Sequence, residues 1–180
     1  MYLMLHALLD ADGAADVTGE IVVVALGNSY RGDDGVGVAA AGALNDLELP
    51  GVQVITGIEE PMSLLEAWSG AKLAVVIDGA VGTPSVPGRV RRCTLGDVVA
   101  ASGGLSSHSV DIGCTYALGQ ALGRVPDALV IFTIEVADTG HGIGLTPQVA
   151  SAVPEVVGMA AAEIKRNRRP ARRSQRPALR

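Results

Sequence analysis

Three side chains in this sequence combine the donor types of a divalent-metal site: Asp34, Asp78 and His108. Two carboxylates and one imidazole suit Ni²⁺, Zn²⁺ or a similar ion, and three ligands leave positions open for water or substrate. Each residue also has an ordinary reading. Asp33 and Asp34 precede a helix, where acids stabilise free N–H groups by about 0.5–2 kcal/mol. One cap is enough, so the second acid is expected to project into the crevice above a sheet. Asp78 either caps a turn at Gly79 or faces that crevice. His108, within Ser106-Ser107-His108-Ser109, is either a capping or surface residue or a ligand at a loop-to-helix junction.

Other chemistries find less support. The loop Gly27-Asn-Ser-Tyr-Arg-Gly-Asp-Asp-Gly-Val-Gly37 imitates a phosphate loop in its first Gly-x4-Gly spacing. A phosphate loop would continue with Lys and Ser or Thr; here two carboxylates follow, which repel phosphate. Gly35-Val-Gly37-Val-Ala-Ala40 matches a dinucleotide fingerprint but starts too far beyond its strand. There is no HExxH and no GxSxG. Ser106 and Ser107 adjoin His108 only in sequence, which does not establish a nucleophile–base pair. Cys93 and Cys114 form no CxxC and read as reduced thiols.

The elements that must position these groups alternate between strand and helix. Ile21–Leu26 is a continuous apolar run, the pattern of a strand buried on both faces. Val36–Leu47 carries a helical apolar face, Val52–Thr56 is a second strand, and Pro61 to Trp68 a helix with Pro in its first turn. Leu73–Ile77 is a third strand, closed by Asp78-Gly79. Arg89–Thr94 is a polar strand expected at a sheet edge. Ser109–Leu122 is a helix with Val110, Cys114, Ala117, Leu118 and Leu122 on its apolar face. Leu129–Glu135 is a fifth strand, and Thr146-Pro147 opens a last helix that Pro154 is expected to kink or split. The expectation is one α/β domain, residues 21–164, with a mostly parallel five-stranded sheet sandwiched between helices. Residues just past the carboxyl ends of parallel strands share one side, which gathers Asp34, Asp78 and His108.

Composition agrees. Of 180 residues, 48% are hydrophobic but only five are aromatic, so the core must be aliphatic, as under a helix-covered parallel sheet. Residues 1–164 carry all 19 acidic and six basic groups, a net of −13, while residues 165–180 carry eight basic groups and no acid. So acidic a body is a poor partner for nucleic acid. Residues 1–20 read as a flexible leader and 165–180 as a disordered basic tail. Met1–Leu9 lacks a basic flank and reaches Asp10, and no later stretch runs 18 apolar residues. No signal peptide or membrane span is therefore expected, and the expected compartment is the cytoplasm.

Four segments in order, Leu26-Gly-Asn-Ser-Tyr-Arg-Gly-Asp-Asp-Gly-Val-Gly37, Leu73-Ala-Val-Val-Ile-Asp-Gly-Ala80, Ser107-His-Ser-Val-Asp-Ile112 and Ile143-Gly-Leu-Thr-Pro147, resemble the hydrogenase maturation proteases. The resemblance spans about Ile21 to Ile164. It implies a five-stranded sheet between helices and an endopeptidase that removes the C-terminal extension of a [NiFe] hydrogenase large-subunit precursor. It also implies that Asp34, Asp78 and His108 contact nickel already placed in that precursor and form the catalytic set. A carboxylate activating water beside a Lewis-acidic metal fits the chemistry. Where many relatives have an acid and glycines after the second strand, this chain has Thr56-Gly-Ile-Glu-Glu60, so Glu59 or Glu60 is the available charge. His141 stands one position from a histidine of some relatives and is given no role. Two alternatives compete with proteolysis: a non-cleaving nickel-binding assembly chaperone, and a small nucleotide-binding domain.

Overall fold

The computed structural model describes residues 21–100 and 110–168; the leader, His108 and the tail beyond Arg168 lie outside the described residues. β1 (Ile21–Ala25) is the buried β-branched strand that its composition predicts. It pairs in parallel with β2 (Val52–Ile55) on one side and β3 (Leu73–Ala80) on the other. β3 pairs in parallel with β5 (Leu129–Glu135), and β4 (Val90–Cys93) closes that edge antiparallel to β5. The order β2-β1-β3-β5-β4 gives the expected mostly parallel five-stranded sheet, with the polar strand at its edge.

Alternation along the strands sends two apolar sets to two helix layers. Val23, Val75, Ile77, Phe132 and Ile134 meet α1 (Val36–Asn45) and α5 (Pro147–Arg168). Val22, Val24, Ala74, Val76 and Ile131 meet α2 (Pro61–Trp68), and Ile112 of α4 (Ile112–Leu122) joins the same cluster. A short α3 (Leu95–Ala100), not foreseen from sequence, follows β4; Asp97 accepts from the Thr94 N–H and hydroxyl at its start.

Three expectations are corrected. β3 does not end at Ile77: Asp78, Gly79 and Ala80 continue it, in register with Thr133, Ile134 and Glu135 of β5. Asp-Gly reads as a turn locally, but a full-length neighbouring strand outweighs that preference. In α4 the buried positions are Ile112, Thr115 and Gly119, whereas Leu118 and Leu122 are exposed. Here close approach replaces bulk: a Cβ on Gly119 would lie 2.9 Å from Leu65 of α2, and the Thr115 hydroxyl is satisfied by the Asp111 carbonyl. Finally, α5 runs unsplit through Pro154 and includes Lys165–Arg168, four residues of the expected tail. Pro154 deprives only the carbonyl of Ala150 of its donor, and Ala150 is exposed to water. Lys165, Arg166 and Arg168 complement the carboxyl end of the helix.

α1 sits unusually close to the sheet. A Cβ at Gly37 would fall inside contact distance of the Leu26 carbonyl oxygen and 2.7 Å from that of Ile77. The second glycine of the apparent dinucleotide fingerprint thus serves backbone packing. Gly37→Ala is expected to cost about 1–3 kcal/mol by overpacking, lowering Tm by roughly 2–4 °C per kcal/mol. A thermal melt coincident with that of the natural chain would show instead that α1 can shift without cost.

Candidate active site

The order of the strands makes a crevice. From β1 the chain passes outward to β2, then returns across β1 to build β3, so the loops after β1 and β3 leave adjacent strands in opposite directions. Such switch points at the carboxyl edge of a parallel sheet are where α/β proteins place their sites. Asp34 leaves β1 on this edge and Asp78 stands two residues before the end of β3. The Leu26 N–H donates to the Ile77 carbonyl at 2.9 Å, holding the start of the loop to the strand that carries Asp78.

Asp34 belongs to a 3-10 turn, Gly32–Gly35, that leads directly into α1. The pair of acids does not cap α1: its N-cap is Gly35, and no side chain caps it. Asp33 instead reaches across to the loop between β5 and α5. Its carboxylate accepts the N–H groups of Ala137 (3.0 Å), Asp138 (3.0 Å) and Thr146 (2.6 Å) and the Thr146 hydroxyl (3.0 Å). Its own N–H donates to the Asp138 carbonyl. Burial pushes this acid's pKa up, but the donors from Asp138, Thr146 and Ala137 outweigh that and hold it below the ordinary value. Further along, Gly32 N–H donates to Gly142 and Gly142 N–H to Tyr30, locking the two loops together.

Asp34, fully buried, accepts the Asn28 N–H at 3.2 Å and so draws the loop around itself. Asp78, 3% exposed, follows Ala74 and Val76 in alternation and faces the side of α2 and α4. The structure therefore places two of the three expected site residues on the same edge of the sheet, Asp34 in the turn that follows β1 and Asp78 near the end of the adjacent β3; His108 lies outside the described residues. Val110, two residues further on, is buried in the α2-side core, and Asp111 caps α4 by accepting the Cys114 N–H. Glu59 and Glu60 are exposed in the loop between β2 and α2, on the same edge, and His141 is exposed in the β5–α5 loop. Among the described residues, no group of three His, Cys, Asp or Glu is arranged to hold a metal ion.

Two buried acids escaped the sequence reading, Glu163 of α5, paired with Arg92 and Arg166, and Glu135 on this edge of the sheet. Glu135 ends β5 opposite Ala80 and is clamped by the Arg89 and Arg91 guanidinium groups and the Val86 N–H. Burial opposes its charge, but the Val86 N–H and Arg89, with Arg91, keep its pKa below the usual carboxylate range. A Cβ on Gly82 would collide with this carboxylate, so Glu135 organises the loop that follows β3. Arg89 and Arg91 stand more than forty residues before it in sequence, so no local pattern marks the pairing.

Comparison with known proteins adds identity to this geometry. Residues 38–163, more than half the chain, match the profile of a family described as hydrogenase maturation protease. The matched stretch includes Asp78 and His108 and begins just after the loop of Asp34. No curated protein matches the sequence significantly. Among solved structures, the hydrogenase maturating endopeptidase HybD from E. coli superposes with a TM-score of 0.72 at 20% identity, over 81% of this chain and 92% of that one. The [NiFe] hydrogenase maturation protease HybD from Thermococcus kodakarensis gives 0.65 at 21% identity, over 79% and 97%. HycI, a [NiFe] hydrogenase maturation protease from Thermococcus kodakarensis KOD1, gives 0.58 at 22% identity, over 83% and 95%.

Proposed function

The chain belongs to the hydrogenase maturation protease family, a family of peptidases, and from that premise we propose that it removes the C-terminal extension of a [NiFe] hydrogenase large-subunit precursor. The observation that carries this reading is the pair of buried carboxylates on one edge of the sheet, Asp34 in the turn that follows β1 and Asp78 near the carboxyl end of the adjacent parallel strand β3. Nickel enters as part of the substrate. Asp34, Asp78 and His108 would meet an ion already seated in the precursor, which makes cutting conditional on metal insertion. Two acids in a sheltered recess attract a divalent cation strongly, because little water screens them. One of them, freed from the metal, is suited to take a proton from the attacking water. That is the aspartic-type, metal-assisted route, and the cytoplasm is the compartment proposed for it. Among the described residues, no helix is long and apolar enough to cross a membrane.

Co-expression with a cognate precursor tests the proposal. Mass spectrometry is expected to show a large subunit shortened at its C-terminus when nickel is supplied and full length when it is withheld. A full-length subunit under nickel, held in a stable complex with this protein, would replace proteolysis by an assembly chaperone.

A further inference from the structure

The recess of acids is ringed by apolar side chains that serve neither core. Five of the nine large hydrophobic residues exposed among the described residues stand at the carboxyl edge of the sheet: Tyr30, Met62, Val81, Val86 and Ile143. They come from four separate loops or helix starts. Tyr30 follows β1, Met62 opens α2, Val81 and Val86 follow β3, and Ile143 lies between β5 and α5. Tyr30 and Ile143 protrude furthest, at 70% and 85% exposure. Both sit on backbone that is locked in place, since Tyr30 and Gly142 share a hydrogen bond and Asp33 clamps both ends of the β5–α5 loop. A rigid segment that keeps large apolar groups in water gains nothing for folding; such groups clustered around a polar centre mark a protein-binding face.

We propose that this ring is the surface on which the metal-bearing precursor docks, with Tyr30 and Ile143 as its anchors. The inference rests on the function proposed above. The occupant follows from charge: Asp34, Asp78, Glu59 and Glu60 share this edge of the sheet, so a protein that carries a divalent cation meets complementary charge there. An apolar ring seals such a contact against water, while the two carboxylates at its centre complement the positive charge arriving there. Locked loops also reduce the entropy lost on docking.

The test measures binding of purified nickel-loaded precursor to the full chain, by calorimetry, in parallel with trimming by mass spectrometry. Tyr30→Ser combined with Ile143→Ser is expected to weaken binding at least tenfold. Leu122→Ser, at an equally apolar exposed position on the far end of α4, should leave both readouts unchanged. Hydrogen exchange on the natural chain provides a second measure that needs no variant: precursor should slow exchange of amides around Tyr30 and Gly142. If the natural chain trims the precursor while the double variant binds within twofold of it, or precursor leaves those amides unprotected, the docking surface is wrong and the protease reading stands. If the natural chain neither binds nor trims the precursor, both fall.

Discussion

Replacing Asp34 by Asn is expected to abolish trimming of the precursor and to leave the fold intact. Asn preserves the shape of the side chain and an acceptor oxygen for the Asn28 N–H, so the loop can keep its form. What disappears is a negative charge in a fully buried position, where Coulomb interaction with a divalent ion is strongest. Loss of a group that stabilises charge in a reacting complex typically costs 10²–10³ in rate, and loss of a metal contact adds to that. A full-length large subunit beside a circular dichroism spectrum and melt like those of the natural chain is the expected pair of results. Continued trimming at an undiminished rate would remove Asp34 from the chemistry. The same exchange at Asp78 should behave alike.

Its neighbour should show the opposite phenotype. Asp33→Ala is expected to destabilise the whole domain, by about 2–4 kcal/mol. The carboxylate satisfies three backbone N–H groups and a hydroxyl, all distant in sequence. A donor left without an acceptor costs about 1–3 kcal/mol when water cannot replace it, and the low end applies to Ala137 and Asp138, which are exposed; total stability is roughly 5–15 kcal/mol. The effect carries a pH signature. Because the folded-state pKa of Asp33 is lowered from 3.8, its contribution is fully present above that value and is lost as the pH falls below it through the folded value. Denaturant titrations from pH 7 to pH 2 should therefore show a large gap between natural and variant chains at neutral pH that narrows in acid. A gap that is small at pH 7, or constant throughout, would deny Asp33 its clamping role.

Under the proposed function the adjacent acids divide structure from chemistry, and only part of that division is legible in the sequence. Local patterns are reliable where local forces decide. Pro61–Trp68 forms a helix over the expected residues because its proline, its apolar spacing and its flanking loops agree. Asp78-Gly79 misleads because the pairing that makes it strand comes from β5, more than fifty residues later. The buried face of α4 is hidden because Gly119 contributes by lacking a side chain, which no count of apolar residues registers. Asp33 reads as a helix cap since its real partners, Ala137, Asp138 and Thr146, are over 100 residues away. The types of the proposed site residues are legible in the sequence; the network that holds Asp33 and Asp34 is tertiary.

That long reach also has a consequence in time. The turn bearing Asp34 is made from the first tenth or so of the described chain, yet its clamp needs Thr146, near the last helix. Synthesis runs from the amino end, and domains form as their parts emerge. While β1, β2 and β3 can already have left the ribosome, the carboxylate of Asp33 still waits for donors that have not been translated. The turn that bears Asp34 is therefore fixed last, together with the packing of α5, so an incomplete chain carries the acids without the arrangement of the folded domain.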